Sequence, residues 1–212
     1  MMIKHYLKVA FRNLAKYKVQ SIVSILGLAV GFVCFALSTL WIRYEMTYDT
    51  FHEGAERIYL VRAHYAHEPG KISNSTPYPL ADYLQKGNPE IEAMASTSVQ
   101  KVKFRVKDTE KDVVSATADS VLMNFFNIRV LRGTVNFLKG TNGEIAITEE
   151  FSKRIFGEEE ALGREVEVSG HASKVGAIVS GWSSHSNIPY SILTSARHYT
   201  QWGSANENLF VR

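Results

Sequence analysis

Ser184, His185 and Ser186 stand side by side late in the chain, His64 and His67 form an HxxH pair, and Cys34 is the single thiol. A nucleophilic serine needs a histidine base that a third group orients in space, and adjacency in sequence supplies no such group, so the Ser-His-Ser run is expected to structure a loop. On a strand the HxxH spacing points the two rings to opposite faces, and no further metal ligands accompany them. Cys34 falls inside a long apolar run, where a thiolate is disfavoured. Glu158, Glu159 and Glu160 lack the spaced oxygens and glycine turn of a calcium loop and read as a solvated helix end. The sequence holds no GxxxxGK[ST] loop, no GxGxxG turn and no GxSxG elbow. It is therefore expected to be no enzyme, with no catalytic, cofactor-binding or metal-binding residues, and to leave any ATP hydrolysis to another chain.

The elements that would carry function are instead physical ones. The net charge of +3 over 212 residues is unevenly placed. Lys4, Lys8, Arg12, Lys16, Lys18 and Arg43 precede any acidic residue, and from Tyr44 onward 18 basic residues face 21 acidic ones. No basic stripe with nucleic-acid readers follows, so nucleic acid is excluded as a partner. From Ile22 to Ile42 run 21 residues without a charge, about 31 Å as a helix against a bilayer core of about 30 Å. Twelve of these are Leu, Ile, Val or Phe, which favours insertion by roughly 4 to 7 kcal/mol before the smaller costs of Ser24, Ser38, Thr39 and the glycines. A cleaved signal peptide has a shorter apolar run and a small-x-small site, and neither is found here.

Basic residues before the span place the N-terminus in the cytoplasm and the rest of the chain outside. Ile3, Leu7, Ala10, Phe11 and Leu14 repeat at helical spacing while Lys4, Lys8, Arg12 and Lys16 form an i, i+4 basic row on another face, the pattern of an interfacial amphipathic helix that is also a topology signal. Gly27 and Gly31 give a GxxxG spacing on which a second helix can pack. The expected organisation is a cytoplasmic amphipathic helix over 1–20, a transmembrane helix over 21–43 and an extracytoplasmic domain over 44–212.

That domain reads as α+β, with strands and helices mixed irregularly. Strands are expected over Ile58–Tyr65, Thr97–Lys107, Val113–Ala118, Glu144–Ile147, Glu165–Val168 and Lys174–Val179. Glu68-Pro69-Gly70 is a turn, and Asp108, Thr109, Glu110 and Lys111 should reverse a hairpin. Helices are expected over Tyr78–Lys86, over Ser120–Phe126 behind an Asp119 N-cap, and over Glu149–Phe156, with Thr148 as its cap and Gly157 as a left-handed stop.

The stretch RNLAKYKVQSIVSILGLAVGF followed by RYEMTYDTFHEGAERIYLV resembles the N-terminus of MacB/FtsX-like ABC transporter permeases, particularly the Bacteroidetes-type members. The resemblance rests on Glu45, Tyr48, Asp49, Phe51, His52, Arg57, Ile58 and Tyr59 in order. Farther on it includes Phe125, Phe126, Leu131 and Gly133, the segment ITEEFSKRIFGEEEALGREVEV with Phe156 and Gly157, and the Ser184-His185 pair. It runs from about Phe11 to the end of the chain, departing at Leu60, at Arg129 or Val130, and at Gly181 and Trp182.

The resemblance implies a MacB-like periplasmic core domain behind a span in the bacterial inner membrane. It implies a cytoplasmic ABC ATPase as partner, a second permease copy or homologue, and a periplasmic partner protein. The work implied is mechanical: efflux, lipoprotein release or control of cell-wall enzymes. Such permeases continue into further spans where this chain stops at Arg212, so a piece of a longer permease is expected. The rival from another class is a membrane-anchored extracytoplasmic ligand-sensing domain, which requires the same span and a mixed domain.

Overall fold

The computed structural model describes residues 2–212 apart from 65, 67–69, 108, 183–184, 197–201 and 203–204, with backbone alone at 3, 4, 7, 205 and 206. His67, most of the Glu68-Pro69-Gly70 turn, Asp108 and Ser184 thus lie outside the described residues. The chain divides into two units, Met1–Tyr48 and Asp49–Arg212.

In the first unit, α1 (Met2–Lys16) and α2 (Lys18–Met46) are separated at Tyr17, where φ is −107° and ψ is 58°. The hydrogen-bond ladder crosses this break, since Tyr17 N–H donates to Asn13 O and Ser21 N–H donates to Tyr17 O, both at 3.0 Å. The two helices therefore meet at a bend at Tyr17. At 29 residues, α2 is about 44 Å long. It contains the whole Ile22–Ile42 run, and none of its residues is buried. Thr39 Oγ1 donates to Phe35 O at 2.9 Å, which satisfies a hydroxyl that would otherwise oppose an apolar surrounding. The helix is long and apolar enough to cross a membrane.

The second unit is α+β. Its smaller sheet centres on β13 (Ala205–Val211), with β1 (Tyr59–Leu60) and β4 (Ser75–Pro77) along one side and β5 (Met94–Thr97) on the other, all antiparallel. A short pair, β2 (Ala63–His64) with β3 (Ile72–Ser73), stands apart. The single strand expected over Ile58–Tyr65 is therefore two. The chain changes sheets after Leu60, and Val61 N–H still donates to Leu209 O at 2.8 Å before the ladder ends.

The larger sheet closes on itself. Strands β6 (Val99–Val106), β7 (Thr109–Ala118), β12 (Ile192–Ser195), β9 (Glu144–Thr148), β11 (His171–Val179) and β10 (Glu165–Val168) pair in that order, and β10 returns to β6. Strand β8 (Val130–Gly133) extends from the far half of β11. The β6–β7 hairpin register pairs Val106 with Thr109, so Thr109, Glu110 and Lys111 belong to a strand, not to the turn expected of them. Lys107 takes the turn at φ 51°. Glu110 faces Lys103 and Arg105 across the ladder at 2.7 Å each, and these hydrogen-bonded cations lower its carboxyl to about 2.

Closure gives the barrel one aliphatic interior. Val102, Phe104, Val113, Ile145, Ile147, Val166, Val175, Ile178 and Ile192 fill it from all six strands. Val175 and Ile178 lie three apart yet share this interior because the register slips between Val175 and Ala177. A bulge at Gly176 resets which side chains point inward. Helix α5 (Glu149–Phe156) closes the barrel with Phe151, edge-on to Phe104 at 5.0 Å. Its Thr148 cap accepts the Phe151 N–H at 3.2 Å as expected. Gly157 has φ 62° and ψ −124°, a region open to glycine but different from the left-handed stop expected there.

A second core lies outside the barrel wall. Ala116, Ala146, Ala177, Val179 and Leu193 point away from the barrel interior, and Phe125, Phe126, Phe137, Tyr190 and Phe210 pack among them. Helix α4 (Ser120–Phe125) supplies part of this core and is capped by Asp119 Oδ1, which accepts Leu122 N–H at 2.7 Å. Helix α3 (Leu80–Gly87) is short and has no buried residue.

Candidate functional site

The family-pattern residues between Asp49 and Ile58 converge on the outer core. Asp49 adopts φ 56°, a left-handed conformation that Asp tolerates better than most residues. Its N–H donates to His185 O at 3.2 Å. Its carboxylate accepts Ser186 Oγ–H at 2.5 Å, the Asn187 N–H at 3.2 Å and Asn187 Nδ2–H at 2.8 Å. Ser186 is buried, and its Oγ accepts in turn from Ile188 N–H at 3.2 Å. One carboxylate thus fastens the first residue of the domain to a loop 137 positions later, through charge-assisted bonds.

His52 packs edge to face with Trp182 at 4.8 Å and against Phe126 at 4.9 Å and Phe51 at 4.2 Å. Burial lowers its pKa below the ordinary histidine value, with Asp49 opposing the shift. The aromatic cluster continues from Trp182 to Tyr190 at 4.8 Å and from Phe126 to Phe210 at 5.2 Å. The Tyr190 hydroxyl donates to Ser180 O at 2.9 Å, and burial raises its pKa. Nearby, Asn127 Nδ2–H donates to Glu53 Oε2 at 2.9 Å and Arg57 pairs with Glu92 at 3.1 Å. The segment after the apolar helix is held at several points by a polar knot and an aromatic stack.

Among the residues singled out from sequence, Asp49, His52, Ile58, Phe125, Phe126 and His185 come together here. Phe51 and Tyr59 are largely exposed, and the Arg57 side chain makes a surface ion pair. Phe156 and Gly157 sit at the barrel instead. In the first unit Tyr48 stacks on Tyr44 at 5.6 Å, Gly27 and Gly31 have open space around them, and Lys8, Arg12 and Lys16 are exposed. Of Lys4 only the backbone, in α1, is described. Sequence reasoning missed Asn187, Trp182 and Phe210. The partners of Asp49 and His52 had no spacing to betray them, although Trp182 was a visible departure from the family pattern.

The family model for the MacB-like periplasmic core domain matches residues 21–212. The chain belongs to that family. Members are permease components of ABC transporters. The MacB-like fold is seen again in a domain described as that of a permease protein from Porphyromonas gingivalis, at TM-score 0.64 and 18% identity over 76% of each chain. The extracellular domain of the ABC-type transporter YknZ from Gram-positive bacteria aligns at TM-score 0.55 and 17% identity, covering 74% of this chain and 81% of that one. The periplasmic region of MacB from Actinobacillus actinomycetemcomitans aligns at 0.56 and 14%, over 75% of each. No curated protein matches the chain significantly. In this MacB-like domain the Asp49 knot occupies the point where the chain enters from its apolar helix.

Proposed function

We propose that the chain is the permease component of an ABC transporter of the MacB/FtsX type, in which a separate cytoplasmic ATPase drives motion of an extracytoplasmic domain. The carrying observation is the direct succession of an apolar helix ending at Met46 and the Asp49 knot of a MacB-like domain. Force delivered along a stiff helix enters the domain through that knot, because two intervening residues leave little slack. In this reading residues 1–20 lie on the cytoplasmic face, 21–43 cross the inner membrane and 44–212 are periplasmic. The basic face of α1 supports the orientation. Gly27 and Gly31, open on the helix surface, offer a contact for a second permease copy or homologue. The output is efflux, lipoprotein release or regulation of cell-wall enzymes, through a periplasmic partner. The domain itself does no catalysis.

Two measurements on the intact protein test this. Protease added to spheroplasts should degrade the domain while sparing the N-terminal helix, and the protein should co-purify with a cytoplasmic ABC ATPase. A protected domain, or purification without any ATPase, would overturn the proposal. A cavity beside His52 favours one second reading, a membrane-anchored ligand-sensing domain. Association with a signalling module in place of an ATPase would select it.

A further inference from the structure

Beside the Asp49 knot the domain opens a cavity of about 390 Å³. At about 30 Å³ per water-sized group, this holds about a dozen non-hydrogen atoms. Leu60, Val99, Phe126 and Phe210 give it apolar walls. Asp49 and Arg62 are the only acidic or basic side chains lining it among the described residues, apart from His52. Their situations differ. The Asp49 carboxylate is already met by Ser186 and Asn187, whereas Arg62 is exposed and has no ion-pair partner among the described residues. His52 adds no compensating charge at neutral pH, since burial keeps the imidazole unprotonated. Apolar walls beside one uncommitted guanidinium, with the Asp49 oxygens already hydrogen-bonded, suit an apolar body whose single negative charge lies at the Arg62 end.

We propose that this cavity is a binding site for a small amphipathic carboxylate, its apolar chain against Leu60, Val99, Phe126 and Phe210 and its anion paired with Arg62. The site belongs to the domain alone and stands whether or not an ATPase partners the chain. Decanoate, with a dozen non-hydrogen atoms, is a fitting probe.

Trp182 lines the same cavity, so the intact protein carrying Trp41→Phe and Trp202→Phe, held in amphipol, reports occupancy through the remaining indole. Decanoate should shift Trp182 emission saturably, and nonyltrimethylammonium, with the same nine-carbon chain, should bind at least tenfold more weakly. Each methylene removed from the carboxylate should weaken binding about fourfold. Arg62→Met, a change at an exposed position, should erase the preference for the anion while leaving the thermal melt unchanged. Val99→Phe should block both probes by filling the space. Equal affinity for the two headgroups, an anion preference that survives Arg62→Met, or no saturable Trp182 response would each overturn the assignment.

Discussion

The two cores of the domain are built differently. Inside the barrel, aliphatic side chains from six closed strands surround Phe104 and Phe151. Outside it, aromatic rings meet edge to face around His52 and Trp182, and the chain is fixed by hydrogen bonds to a carboxylate. Of the family-pattern residues, Phe156 packs at the barrel, whereas Asp49, His52, Ile58, Phe125 and Phe126 gather at the outer core. The barrel supplies stability through burial, and the outer core supplies directional attachment through bonds of fixed geometry.

The sharpest way to break this contrast is Phe104→Ala. Phe104 is 1% exposed, and its truncation should cost about 3–5 kcal/mol, enough to unfold the domain in a denaturant titration. A small loss would mean that the barrel is not the stabilising half. Asp49→Ala removes the acceptor for Ser186 and Asn187 and places Ala at a positive φ. It should cost about 2 kcal/mol, with faster hydrogen exchange at the Asn187 amide and no change at barrel amides. Exchange that rises equally in both regions would deny the separation.

Smaller still is Glu207→Gln on β13. Burial first, and then Asp119, raises the Glu207 carboxyl to about 7 from an ordinary 4.5. The folded state therefore prefers it protonated. That contribution is fully present below pH 4.5 and is lost as pH rises through 7. Because the carboxyl still partly meets solvent, the gain for Glu207→Gln at pH 8 should be about 1 kcal/mol after screening, with none at pH 4. His52 has the opposite sign: its lowered pKa makes stability fall as pH drops below about 6.5, and His52→Phe should remove that acid limb. The least effect is expected from Lys103→Met in the exposed hairpin, where a surface ion pair with Glu110 should leave the thermal melt unmoved.

Local signals in the sequence carried well into the structure, and distant ones did not. The Thr148 and Asp119 caps, the apolar helix and the β6–β7 hairpin all depend on residues within a few positions of each other, where hydrophobic period and cap chemistry act. Barrel closure depends on β10 meeting both β6 and β11, and on a register slip near Gly176 that no periodicity predicts. Strand β13 has a plain composition but is the centre of the smaller sheet because partners from Tyr59 to Thr97 come to it. At the site, Asp49 and His52 were recognisable as family positions, but a carboxylate does not announce that its partners lie 137 and 138 residues away. The serine of the Ser-His-Ser run that bonds Asp49 is Ser186, a structural role for residues that first suggested chemistry.

The central claim is that motion passes from the apolar helix to the domain through Asp49, and ATP turnover measures it most directly. The intact protein, reconstituted in proteoliposomes with its cognate cytoplasmic ATPase, should stimulate hydrolysis several-fold. Asp49→Ala should still bind the ATPase yet lose at least half of that stimulation. Wild-type protein that leaves the ATPase rate unchanged, or an Asp49→Ala variant as stimulating as wild type, would contradict the account.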